Sequence, residues 1–276
     1  KRETYAADSL KIIADFIGIE QSKVKRIEHH LCHAYYGYFA SPYRNESAVV
    51  VTIDGPAGAG KSTVAKMVAA QLSYRLLDTG AIYRTVAFVA VNREVGFDAG
   101  QALADIATSL DIRFEIDGDR NRVFLGDREV STEIRTPEIS KAASHVSAHP
   151  EVRAALLDLQ RRLAVGGGVV VEGRDTGTVV FPNAEAKFFL TASDEVRARR
   201  RVSELHAIGQ PADLQTTLTE IRERDNRDAT RAVAPMVQAV DAERIDTSGR
   251  SLDEVVADLV ARVHRKIAKV NASVVA

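Results

Sequence analysis

Residues 48–54, AVVVTID, form a nearly continuous apolar run rich in β-branched side chains, and GPAGAGKS (55–62) follows at once. Such a run reads as a strand buried on both faces, because a parallel sheet covered by helices offers no wet side. The second segment fits G-x-x-x-x-G-K-[ST] and leads into residues 61–72, whose apolar positions repeat with helical period. Strand, glycine loop and helix together are the context in which this motif cradles phosphate. Glycines let the backbone wrap an anion, successive N–H groups point inward, and the helix N-terminus adds partial positive charge. Gly55, Pro56, Ala57, Gly58, Ala59, Gly60, Lys61, Ser62 and Thr63 are therefore the candidate ATP-phosphate residues. Lys61 has the reach for the β and γ phosphates, and the Ser62 hydroxyl suits an Mg²⁺ ion carried by the nucleotide.

The rest of the chain continues the alternation. Helical period predicts helices over 79–94, 99–110, 136–148, 151–164, 193–206, 217–230 and 251–270, with strands at 169–172, 187–190 and 244–246. Strands alternating with helices imply an α/β fold, a parallel sheet with helices on both faces. One stretch breaks that order. Residues 111–116 and 122–125 alternate with period two around Asp117-Gly118, and 127–130 adds a short third strand, so an antiparallel subdomain is inserted at about 111–150.

Composition limits the chemistry. The formal net charge is -1 over 276 residues, so no global field draws the chain to nucleic acid or a membrane. Anion binding must come from local arginine clusters. Cys32 is the single cysteine, which excludes an internal disulfide and makes the cytoplasm the expected location. A phosphate loop alone does not name an acceptor. No N-K-x-D guanine motif and no L-S-G-G transporter signature occurs here. Arg224, Asp228 and Arg231 fall at i, i+4 and i+7 and share one helix face. On spacing alone that face is either solvated or a phosphate grip. Gly173-Arg174-Asp175, just past a buried strand, favours the grip, since ligands of open α/β sheets sit at strand ends.

IDGPAGAGKSTVAK (53–66), LDTGAIYR (77–84), IRTPEIS (134–140), SxVSAxPxVR ending at Arg153, EGRDTGTVVFPNAEAKFFLTA (172–192), RERDNRDATRAVAP (222–235) and IDTS (245–248) together resemble the bacterial cytidylate kinases. The resemblance runs from about Val49 to the C-terminal helix. It implies a P-loop nucleoside monophosphate kinase fold with a CMP-binding insertion and a lid at about 197–215. It also implies transfer from ATP to CMP or dCMP, with Mg²⁺ accompanying ATP, and a monomer as the expected state. Carried over by motif, Arg84, Arg174 and Arg231 hold the CMP phosphate. Ser144, Arg153 and Asp175 read the cytosine edge, Arg224 and Asp228 contact the ribose, and Thr79 lies near the acceptor. Lys61, Arg174, Asp175 and Arg231 are the implied catalytic set. Asp175 has a second reading beside the metal, and Ser144 and Arg153 read from sequence alone as helix surface. Arg197 and Arg201, one helical turn apart, are expected to reach the ATP side from the lid.

Residues 1–47 differ in character. VKRIEHHLCHAYYGYFASPYRNES (24–47) resembles nodulation-type carbamoyltransferases, in which an H-x3-H pair contributes metal ligands. His29 and His33 carry that spacing, but two histidines make an incomplete site. About 47 residues without a core of their own are not expected to fold alone. The expected organisation is a partly helical, loosely docked appendage, 1–47, on a kinase domain, 48–276.

Overall fold

The computed structural model describes residues 49–117, 120–207 and 209–275. The expectations for residues 1–47, the His29/His33 pair included, lie outside the described residues. In chain order the elements are β1 (Val50–Asp54), α1 (Lys61–Leu72), β2 (Arg75–Asp78), α2 (Thr79–Asn92), α3 (Gly100–Thr108), β3 (Ile112–Asp117), β4 (Arg120–Leu125) and β5 (Arg128–Glu129). There follow α4 (Pro137–Val146), α5 (Pro150–Leu163), β6 (Val169–Glu172), β7 (Ala186–Thr191), α6 (Asp194–Ala207), α7 (Leu214–Thr230), β8 (Glu243–Asp246) and α8 (Leu252–Val275).

Five strands make one sheet in the order β2-β6-β1-β7-β8, with every pair parallel. Alternation along β6 shows why it needs cover on both faces. Val169 and Val171 point into a core made with α2, α3, α4 and α5, whereas Val170 points into a core made with α1 and α8. Val64, Val68, Val256, Leu259 and Val263 seal that second core, each no more than 2% exposed. No helix among the described residues is long and apolar enough to cross a membrane.

The inserted hairpin forms as its period-two pattern requires. Phe114 lies opposite Val123 on the face turned to the first core, and Arg113 lies opposite Phe124 on the other. There the Phe124 ring is stacked by two guanidiniums, Arg113 at 4.4 Å and Arg122 at 4.9 Å. Two expectations need correction. Strand β2 has no counterpart in the sequence reading: RLLD is too short to show a period and follows a helix directly. Helix α7 starts at Leu214, not at 217, because the Asp213 carboxylate caps it by accepting from the Gln215 and Thr216 N–H groups (3.3 and 2.7 Å).

Candidate active site

Three adjacent strands, β2, β6 and β1, end on an acid at the same edge of the sheet. Asp78 of β2 is in register with Glu172 of β6, and Asp54 closes β1 between β6 and β7. This C-terminal edge is where the chain changes direction and where an open α/β sheet holds its ligands.

The glycine loop leaves β1 here. Gly55 has φ 140°, and a Cβ on it would sit 2.1 Å from the Leu190 carbonyl oxygen on β7, so only glycine fits. Lys61 is 4% exposed and donates from Nζ to the Pro56 carbonyl at 2.6 Å, curling the loop around its own lysine. Burial, then the cation of Arg174, push the Lys61 pKa down to about 7, against the pull of Glu172. The Ser62 hydroxyl donates to Glu172 Oε1 at 2.5 Å. Burial and then neighbouring Asp78 push the Glu172 carboxyl above its ordinary range.

The lid helices clamp the same loop. Arg197 is 4% exposed; its Nη1 donates to the Ala57 carbonyl at 2.8 Å and to Asp225. Asp225 Oδ1 in turn accepts from the Ala57 N–H at 3.1 Å. Arg201, expected to reach the ATP side, pairs with Glu204 at 3.2 Å. Arg200 turns to the loop side and holds Thr247 through its hydroxyl and carbonyl (2.9 and 2.8 Å). With Arg197 facing the loop, position 200 lies about 60° round the helix on the inner side and 201 about 40° on the outer. Between α6, the start of α1 and the loop before α8 lies a cleft of about 740 Å³, lined by Gly58, Thr63, Val196, Arg200, Arg250 and Leu252 among others.

Across β6 the remaining residues converge. Asp175, buried, receives Arg153 on Oδ2 and Arg231 Nη2 on Oδ1 at 3.1 Å. Arg174 Nε donates to Asp228 Oδ2 at 3.2 Å, and Arg84 Nη2 to Asp78 Oδ2 at 2.7 Å. Thr79 is turned inward, its hydroxyl donating to the Glu172 carbonyl at 2.7 Å. Ser144 and Arg153 are both 7% exposed, so the helix-surface alternative does not describe them. The Ser144 hydroxyl and the Nε groups of Arg84, Arg153 and Arg224 are buried with no protein partner. Burial, then Arg174, lower the Arg224 pKa to about 10. Arg84, Arg153, Arg174 and Arg231 thus meet three aspartates, 78, 175 and 228, with Arg224 close by, and donors are left to spare. That excess suits a phosphate.

Four residues at this site escaped the sequence reading: Asp54, Asp78, Glu172 and Asp225. A usable signal existed for the first three, since VVVTID, RLLD and VVVE each end an apolar strand on an acid. Asp175 sits among Arg153, Arg231 and Asp228, whereas the carboxylate beside the Ser62 hydroxyl is Glu172.

A phosphate loop at the end of β1, an arginine and aspartate cluster across β6 and a helical lid define a P-loop kinase of the nucleoside monophosphate class. The cytidylate kinase family model matches residues 51–265, and the chain belongs to that family. It is 45% identical over 228 residues to the cytidylate kinase of Aeromonas salmonicida (strain A449), covering 83% of this chain and 99% of the relative. To the cytidylate kinase of Shewanella baltica (strain OS155) it is 46% identical over 229 residues, covering 82% and 100%. Among solved structures, a gluconokinase from Sinorhizobium meliloti 1021 aligns with a TM-score of 0.40 at 18% identity, over 82% of this chain and 95% of that one, too weak a likeness to support a conclusion.

Proposed function

We propose that residues 48–276 transfer the γ-phosphoryl group of ATP to CMP or dCMP, giving ADP and CDP or dCDP. The observation that carries this reading is the placement of the phosphate loop and the arginine cluster on either side of Glu172, at one sheet edge. The loop and Lys61 hold the ATP phosphates, and the 740 Å³ cleft beside α6 takes the adenosine. Arg84, Arg174 and Arg231 hold the acceptor phosphate. Ser144, Arg153 and Asp175 face the base, and Arg224 and Asp228 the ribose. Ser144 brings a buried hydroxyl that has no protein partner.

The reaction needs little covalent help. An oxygen of the CMP phosphate, already anionic at neutral pH, forms a bond to the γ phosphorus as the bridging oxygen departs with ADP. No strong base is required. Lys61 and the arginines offset charge on the moving group, and their placement by the fold is the catalytic device. Arg197 brings the lid onto the loop and so excludes water. Mg²⁺ fits this site by its donors, because Ser62 Oγ and Glu172 Oε1 already lie together and hard oxygen donors suit that ion. When bound with ATP it supplies charge neutralisation at the β and γ phosphates.

The reading includes a monomer and, in keeping with a single cysteine, the cytoplasm. Residues 1–47, with their carbamoyltransferase resemblance, stand outside the kinase domain in this proposal. The test is ADP release from ATP and Mg²⁺ with CMP, dCMP, UMP or AMP as acceptor. ADP formed with CMP or dCMP, and hardly with AMP, is the expected outcome. Equal rates with all four, or none, would overturn the assignment.

Lys61 gives a second prediction. With its pKa near 7 it is mostly neutral at pH 8 in the free protein. Triphosphate beside it favours the ammonium form, so ATP binding at pH 8 is expected to take up about one proton. Calorimetry in buffers of different ionisation enthalpy reads that number directly. Uptake that persists undiminished in Lys61→Gln would assign the proton elsewhere.

A further inference from the structure

We propose that Asp54 is a positioning residue for the acceptor half of the site, acting through the turn that follows Arg174 and Asp175. This rests on the kinase reading above and adds to it a residue whose side chain hydrogen-bonds to neither phosphate grip.

Asp54 is the last residue of β1, directly before Gly55, and it is 4% exposed. Its carboxylate faces across the sheet edge to a point more than a hundred residues on. Oδ1 accepts from the Thr176 N–H at 2.9 Å and from the Thr176 hydroxyl at 2.8 Å, and Oδ2 accepts from the Gly177 N–H at 2.7 Å. Among the described residues all hydrogen bonds of this side chain run to that turn, and none to Lys61 or Ser62. Burial pushes the Asp54 pKa up, and the Gly177 and Thr176 donors oppose it. Three donors on one buried carboxyl offset part of the cost of its burial, and it orders them in return.

The turn it holds, Thr176–Val180, is wide, with Phe181 N–H bonded to the Thr176 carbonyl at 2.7 Å. Its far end is held as well: Arg161 of α5 donates to the Val180 and Val179 carbonyls at 3.0 and 3.2 Å. A carboxylate at the front and a guanidinium at the back therefore fix the segment that directly follows the acceptor grip. Asp175 can meet Arg153 and Arg231 together only if its backbone is placed to within a fraction of an ångström. One strand thus sets both halves of the reaction. The loop after Asp54 receives the donor phosphates, and the Asp54 side chain fixes the segment that receives the acceptor.

Asp54→Asn is nearly isosteric but turns an NH₂ group towards amide donors. It is expected to lower kcat/KM for CMP by about ten- to a hundredfold, the worth of one or two charge-assisted hydrogen bonds. Both kcat and KM for CMP should move, while ATP affinity by calorimetry stays within about twofold of wild type, because the phosphate loop keeps its own bonds. Amide hydrogen exchange at Thr176 and Gly177 should quicken. Thr176→Val should move the same parameters less, and Thr176→Ser should restore them. Should Asp54→Asn fail to fold, the valine and serine variants decide. An unchanged kcat/KM for CMP, an equal loss of ATP affinity, or unchanged exchange at 176–177 would overturn the proposal. A wild-type chain without CMP-dependent ADP release would instead overturn the kinase reading, and exchange in the variant would still decide this one.

Discussion

Lys61→Ala is expected to cut turnover with CMP by about 10³-fold or more, the scale on which a single preorganised cation at a transferring phosphoryl group acts. The ammonium is the one lysine cation set inside the phosphate loop, held there by the Pro56 carbonyl, and burial makes its field felt at full strength. Removing it also removes a buried, partly neutral amine, so the fold should survive. Circular dichroism and thermal melting near wild type, with turnover lost, is the expected pair of results. KM for ATP should rise far less than kcat falls, because most of the lysine's worth lies in the transition state. Turnover comparable to wild type would refute the role given to the loop.

Asp175→Ala should lower stability strongly. The carboxylate lies between Arg153 and Arg231, whose side chains are 7% and 6% exposed. Taking it away leaves the buried Arg153 guanidinium without its ion-pair partner and Arg231 with Asp228 alone, at 3.9 Å. Breaking a buried ion pair from one side costs about 3–5 kcal/mol. In a chain of this size that is a drop of roughly 6–20 °C in melting temperature. Denaturant unfolding should show a lower midpoint at an unchanged slope. Asp175→Asn, which keeps an acceptor, should lose less. A midpoint within experimental error of wild type in Asp175→Ala would mean that the two arginines find other partners.

How much of this was legible beforehand follows from where each signal lies. The phosphate loop could be read directly, since its chemistry is fixed by eight consecutive residues between a strand and a helix. The buried strands β1 and β6 were legible for a similar reason: runs of valine leave no alternative face. The acceptor cluster is different. Its arginines come from α2, α5, the end of β6 and α7, and only a resemblance to a family ties those segments together. Spacing alone left Ser144 and Arg153 on a helix surface, and burial at 7% exposure is a tertiary fact. β2 was missed because RLLD holds two apolar residues and no period. The wide turn at 176–180 was missed because its partners, Asp54 and Arg161, lie far away in sequence. The turn of α6 that faces the loop is set by packing, which puts Arg197 and Arg200 inward and Arg201 out.

The strand order carries a consequence for how the chain is made. β1 sits in the middle of the sheet, yet its neighbours β6 and β7 are encoded far downstream, with Val51 opposite Val170 and Ala186. At about 5–20 residues per second, a ribosome needs roughly 6–24 s to extend the chain from Val51 to Val170. For that interval the valine-rich segment at 49–53 lacks β6 and β7, its two partners among the described residues. A β-branched, uncharged stretch of this kind is the sort of segment that nascent chains join to one another. The residues made meanwhile, α2 to α5 and the small antiparallel sheet, can begin to pack among themselves. Production of the folded protein should therefore depend on what shelters β1 during those seconds, and slower synthesis would lengthen the exposure.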